Sequence, residues 1–266
     1  MEQNNNTAVS KIESLKNMMY TDSVQAQFKN ALGENTGSFV ASLIDLFNSD
    51  SNLQNCAPGQ IIKEALKGAL LKLPINKNLG FAYVIAYKGK PDFQIGYKGY
   101  VQLALRTGNY KTLNCDEVYE GEYRTRNKLT GEFDLNGQAI SDTVVGYFAY
   151  MELHNGFSKT LYMSKEKVIA HAKKYSPSYN QANGPWTKEF NAMAKKTVLK
   201  NLLTHWGILS VEMINAIEND DVSEQVQNEI NEKGNSGTMD FQNAEEVPNG
   251  TAQTMDFGNQ NGGPGF

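Results

Sequence analysis

The chain has 266 residues, 40% hydrophobic and 20% charged, enough to bury a sizeable core as one large domain or two small ones. No stretch approaches a membrane span, and the polar start Met1-Glu-Gln-Asn-Asn-Asn-Thr7 is no secretion signal, so a cytoplasmic protein is expected. The net charge of −4 conceals a division: residues 1–210 carry 24 Lys and Arg against 18 acids, and residues 211–266 carry one lysine against 11. A basic body with an acidic extension suits an anion-binding protein with a regulatory or partner-binding tail.

In chain order, the first 50 residues predict helices. Val9, Ile12, Leu15 and Met18-Met19 fit one apolar stripe, continued by Val24 and Phe28, and Phe39, Val40, Leu43, Ile44 and Phe47 fit another. Pro58 is placed to open a helix running to about Leu73-Pro74. Phe81 to Lys88 and Asp92 to Tyr97 read as strands joined through Gly89-Lys90-Pro91. A Gly96-Tyr-Lys-Gly99 turn and a helix over Tyr100–Thr107 follow, ending at Gly108.

Leu113 to Tyr123 predicts another strand, with Thr130-Gly131 and Asn136-Gly137 marking turns around a short Glu132–Leu135 segment. Val144 to Leu153 and Phe157 to Met163 predict a second hairpin, turning at His154-Asn155-Gly156. Ser164 is a fair N-cap for a helix over Lys165–Tyr175, and Pro185 opens a helix expected to reach Gly207. A last helix is expected from Ser210 to Asn219. Beyond it the composition turns to Asn, Gln, Gly, Ser and acids, which predicts disorder, with Thr238-Met-Asp-Phe241 and Thr254-Met-Asp-Phe257 as a short repeat. The expected fold is α+β: a mostly antiparallel sheet with packed helices, helical N-terminal and C-terminal parts in residues 1–219, and a disordered acidic tail over 220–266.

Between Ser158 and Lys200 stand nine lysines against Glu166 and Glu189. A charge run is usually a solvated helix face, but this one has few salt-bridge partners, so a phosphate-tracking surface is comparably favoured. Lys195, Lys196 and Lys200 lie within it. Lys98 stands beside the start of a helix, whose free N–H groups favour an anion, and Arg106 lies in that helix's last turn. Arg124 and Arg126 follow a strand and share one side, with Lys128 next to them. Tyr119, Tyr123 and Phe133 are nearby aromatics, yet the sequence shows no clean stacking platform. Asp116, Glu120 and Glu122 share strand parity and leave a metal-dependent nuclease open as an alternative. There is no nucleophile–base pair and no phosphate loop of the Walker type, so the residues favour a binding protein over an enzyme. Cys56 and Cys115 stand in no metal-like spacing and fit the core of a protein from a reducing compartment.

Gly96-Tyr-Lys-Gly99 followed by Arg106-Thr-Gly108 resembles the signature of the RecT family of phage single-strand annealing proteins. Cys56-Ala-Pro58, Ile61-Ile62-Lys-Glu-Ala65 and Leu79-Gly80-Phe-Ala-Tyr83 upstream resemble that family in the same order. So does Trp186-Thr-Lys-Glu-Phe190-Asn-Ala-Met193-Ala-Lys195-Lys196-Thr197 downstream. The resemblance spans roughly residues 20 to 215. It implies ATP-independent annealing of single-stranded DNA in phage recombination, by oligomers (rings or helical filaments) that hold strands and the duplex intermediate in a basic groove. It further implies no required cofactor, an effect of Mg²⁺ at most, and a phage exonuclease and host single-strand-binding protein as partners. On this reading the DNA contacts are Tyr97, Lys98, Arg106, Arg124, Arg126, Lys195, Lys196 and Lys200. A backbone-clamping RNA loop of the KH kind at Gly96–Gly99 is a further alternative, in an unsuitable element order.

Overall fold

A computed structural model describes residues 2–208; the expected Ser210–Asn219 helix, the boundary at Asn219 and the Thr-Met-Asp-Phe repeats lie outside the described residues. The helical start is α1 (Glu2–Met19), α2 (Asp22–Leu32), α3 (Thr36–Ser49), α4 (Ser51–Gln54) and α5 (Pro58–Leu70). Leu15, Met19, Phe28, Phe39, Leu43 and Phe47 are buried against Ile61, Ala65 and Ala69 of α5, whereas Met18, expected on the same stripe, is exposed. Asp50 caps α4, accepting from Asn52 N and Leu53 N at 3.0 and 3.3 Å, and its other oxygen takes the Lys77 amine at 2.7 Å. Pro58 does open α5, but the helix stops before Leu73. Lys72 turns left-handed (φ 51°), and Leu73 N–H donates back to Gly68 O at 2.9 Å, a Schellman-type ending.

β1 (Ala82–Tyr87) and β2 (Lys90–Ile95) form an antiparallel hairpin. Its turn is Lys88-Gly89, both at positive φ (48° and 80°), one step earlier than the sequence suggests. Two such residues give the turn whose twist matches the strands, and Pro91 is tolerated because this ladder has only two strands. α6 (Tyr97–Arg106) follows directly. A three-stranded antiparallel sheet in the order β3 (Tyr110–Tyr119), β6 (Val144–Leu153), β7 (Ser158–Ser164) forms the second half. Between β3 and β6 a small hairpin of β4 (Thr125–Arg126) and β5 (Phe133–Asp134) projects, where the sequence suggests β3 itself running on to Tyr123.

The chain ends its described part in α7 (Lys165–Tyr175), α8 (Pro185–Lys188) and α9 (Phe190–Trp206). Ser164 caps α7 as expected, accepting from Lys167 N at 3.3 Å. The single helix expected from Pro185 is broken at Glu189 (φ −135°, ψ 53°), although Trp186 and Phe190 still meet edge to face at 5.6 Å. α9 lies on one face of the three-stranded sheet. Val198, Leu199, Leu202 and Leu203 bury there with Tyr147, Ala149, Met151 and Leu153, which alternate along β6. Cys56 and Cys115 are free and buried, and burial pushes the Cys115 thiol up to about 12.

Candidate nucleic-acid interface

Gly96 and Gly99 lie in the tightest backbone contact of the first half. A Cβ on Gly96 would strike the carbonyl of Gly80, and one on Gly99 would strike the carbonyl of Phe81. Gly96 N–H also donates to Phe81 O at 2.8 Å. The two glycines therefore let α6 begin against the chain approaching β1, and their faces are filled by protein. The helix starts at Tyr97, three residues before the sequence suggests, with Gly96 as its N-cap. Tyr97, Lys98 and Gly99 supply its unpaired N–H groups, and Lys98 beside them is exposed.

Arg106, at the far end of α6, is anchored. Its Nη1 donates to Leu71 O at 2.7 Å and its Nη2 to Lys72 O at 3.0 Å, two carbonyls left over where α5 stops. Burial of this guanidinium holds its pKa below the ordinary value. On α9, Lys195 faces β3, with Nζ 3.2 Å from Glu117 Oε1 and 3.5 Å from Asp116 Oδ1. Burial alone would lower its pKa, but the bond and charge of Glu117, with Asp116, raise it instead. Tyr97 is half-buried beside this group, and burial followed by the Cys115 thiol raises its phenol pKa. The fold thus brings together Tyr97 and Lys195, while the stem of Lys98 passes beside Gly80. Lys196 and Lys200 sit further along α9, both half-buried.

Arg124 and Arg126 are elsewhere, on the exposed β4–β5 hairpin with Lys128. Arg124 N–H donates to Asp134 O at 2.9 Å, which fixes the backbone and leaves the side chain outside. The Arg126 guanidinium lies 5.2 Å from the Phe133 ring centre. Here the fold assembles what the sequence does not reveal: Tyr123 stacks on Tyr162 at 5.1 Å, and Phe133 lies 5.6 Å from Tyr162 and 6.3 Å from Tyr123. Tyr162 comes from β7, far along the chain. Its partner in the β6 ladder is Phe148, and the ring reaches over the diagonal neighbour Gly146, where a Cβ would overlap it. Tyr119 stays out of this cluster and bonds Glu117 at 3.0 Å.

The RecT family model matches residues 37–233, most of the chain and nearly all of both regions just described. The chain belongs to the RecT family. Protein RecT of Escherichia coli (strain K12) is 28% identical over 184 residues, covering 64% of this chain and 65% of that protein. A Bacillus subtilis (strain 168) protein, YqaK, described as uncharacterized, is 43% identical over 246 residues, covering 91% of this chain and 85% of its own. RecT membership suggests a recombination protein of the single-strand annealing type, and annealing proteins of this family are generally not catalysts.

The sequence motifs that resemble the RecT family meet in space: Gly80 and Phe81 are what Gly96 and Gly99 pack against, and α6 in turn packs on α9, which carries Lys195 and Lys196 of the third motif. The two alternatives find no geometric support. Asp116 faces Lys195, Glu120 takes the Ser141 hydroxyl at 2.8 Å, and Glu122 takes Tyr119 N–H at 2.7 Å. Among the described residues no three His, Cys, Asp or Glu side chains gather as a metal site. A KH-like clamp needs its glycines open to a nucleic-acid backbone, and here protein backbone already occupies that side. Among the described residues no helix is long and apolar enough to cross a membrane.

Proposed function

We propose that this protein anneals complementary DNA strands without ATP, in the cytoplasm and as an oligomer, holding phosphates on exposed cations. The observation that carries this reading is a set of cations with no acid to serve. Lys98, Arg124, Lys128, Lys167, Lys173 and Lys188 form no salt bridge among the described residues of a RecT family chain. Two single strands repel through their phosphates, and fixed cations reduce that repulsion while base edges stay free to pair. Pairing is itself downhill, so no nucleotide is consumed, and selectivity belongs to the strands. Lys98, with the free N–H groups of α6, seats one phosphate. Arg124, Arg126, Lys196 and Lys200 hold others, and Tyr97 offers a neutral phenol to a backbone or base. Arg106 acts behind them by fixing α6, and Lys195, its charge already answered by Glu117 and Asp116, contributes least.

Two complementary labelled oligonucleotides mixed with the protein, without nucleotide, should pair faster than alone on a gel. Binding should fall steeply as salt rises. A strict need for ATP, or binding nearly flat between low and moderate salt, would overturn the reading. Residues 220–266, acidic in sequence, are assigned to partners such as an exonuclease or a single-strand-binding protein. Truncation after Asn219 should therefore leave annealing intact, or slightly raised at low salt, where a competing acidic tail is least screened. Loss of annealing in a folded truncate would move the boundary.

A further inference from the structure

We propose that the β4–β5 hairpin and β7 form a nucleobase-stacking tray, with Tyr123 as the ring that a single-strand base lies against. This rests on the DNA-binding reading above and adds to it a contact with bases rather than phosphates. Tyr123, Phe133 and Tyr162 form a three-ring cluster in which Tyr123 is the outermost, 39% exposed, while Tyr162 and Phe133 are half-buried beneath it. None of the three belongs to the hydrophobic core, which closes without them on the other face of the sheet. Rings used only for packing would be expected inside that core, and here three are gathered at the rim instead.

The charges around the cluster sort a nucleotide into its two parts. Arg124, Arg126 and Lys128 follow Tyr123 along the chain, exposed, and Arg126 lies on the face of Phe133. Beside Phe133 opens a groove of about 600 Å³, lined by Asn127, Glu132, Asp134, Tyr150 and Thr160 among others. Glu132 and Asp134 would repel a phosphate, whereas the amide, hydroxyl and phenol groups suit the edge of a neutral base. Lys159 in the same groove already donates to Thr130 O at 3.0 Å and covers the Trp206 ring at 4.6 Å. The arrangement therefore places phosphates along the arginines and a base on the rings. Stacking accepts every base, which keeps recognition independent of sequence, as annealing of arbitrary strands demands.

The test compares oligodeoxythymidylate with an abasic strand of equal length, each end-labelled, by fluorescence anisotropy on the full chain. The native protein should prefer the base-bearing strand. Tyr123→Leu, which keeps apolar bulk but has no ring face, should reduce that preference at least about five-fold, the lower bound for one base–aromatic stack. It should leave abasic binding and the salt slope unchanged, and Tyr123→Phe should keep the preference. An unchanged preference in folded Tyr123→Leu would overturn the tray while leaving DNA binding in place. Failure of the native protein to bind either strand would overturn both. A second measurement needs no variant: strands carrying 5-iododeoxyuridine, irradiated at long wavelength, should cross-link to Tyr123 or Phe133. Cross-links confined to other residues would sink the proposal.

Discussion

Arg106 and Arg124 each stand at the margin of a regular element, yet their surroundings differ in kind. Arg106 donates to Leu71 O and Lys72 O at the far end of α6, the helix whose start is closed by two glycines that touch protein backbone. Arg124 is exposed and has no acidic partner among the described residues, on a hairpin that also exposes Tyr123, Arg126 and Lys128. The first region is a closed joint between α5, β1 and α6, and the second is an open arm. The same residue types, glycine, arginine and tyrosine, serve fold integrity in one and are left available to a ligand in the other. Substitutions in the joint should register first as stability, and substitutions in the arm as binding.

The largest effect is expected at Gly99. In an ordinary helix Gly→Ala gains roughly 0.5–1 kcal/mol. Here the added methyl would meet Phe81 O and the Ile95 side chain, and a carbonyl fixed between β1 and α6 has nowhere to move. Gly99→Ala should therefore cost roughly 3 kcal/mol or more, with loss of soluble protein or a sharply lower melting temperature. A normal melting curve combined with lost DNA binding would instead make the Gly-x-x-Gly segment a ligand contact, and the joint would be an interface after all.

Next come the arginines as a pair. Arg106→Ala frees two carbonyls at the end of α5, and because its stem is exposed the cost should be about 1–2 kcal/mol, a melting point lower by several degrees. DNA affinity per folded molecule should hardly change. Arg124→Ala should melt as the native protein does, bind all sequences more weakly, and lower the slope of log K against log salt by roughly 0.7. Reversal of these two results would interchange the roles of joint and arm.

Much of this architecture is legible in the sequence because it is periodic. The apolar stripes of α1 to α3, the alternation along β6, the caps at Pro58 and Ser164 and the alternating hydrophobicity of both hairpins are local signals that survive tertiary packing. The joint is half legible. Gly96 and Gly99 mark a close approach, but nothing local says whether protein or nucleic acid approaches, and Gly80 decides it from 16 residues away. Arg106 is illegible for the same reason, since its partners are main-chain carbonyls, which carry no residue signature. The tray is the least legible part. Tyr123 and Phe133 are near in sequence, but Tyr162 joins them only through the pairing of β6 with β7, and Gly146, which makes room for it, reads as an ordinary weak spot in a strand. The break at Glu189 escapes notice because Pro185 and the spacing of Trp186 and Phe190 suit one helix as well as two.

The smallest expected effect lies between the two regions, at Lys195. Glu117 and Asp116 hold its amine at 3.2 and 3.5 Å, so its charge is already answered before any phosphate arrives. Glu117→Gln removes one of those two charges and keeps an oxygen to accept from Tyr119, so the change in stability should stay below about 1 kcal/mol. DNA affinity should rise about two- to three-fold at low salt and by less at high salt, as a screened charge predicts. Titration does not complicate the comparison. A lysine whose folded-state pKa is raised stabilises the protein below its unfolded pKa and loses that contribution only as pH climbs through the folded value, far above neutrality. The decisive form is a double-mutant cycle. Lys195→Ala should matter little in the native background and should cancel the gain in the Glu117→Gln background. If Lys195→Ala alone weakens binding as much as Arg124→Ala does, the lysine reaches phosphate despite its carboxylates. The boundary between closed joint and open arm would then have to be redrawn to place α9 on the open side.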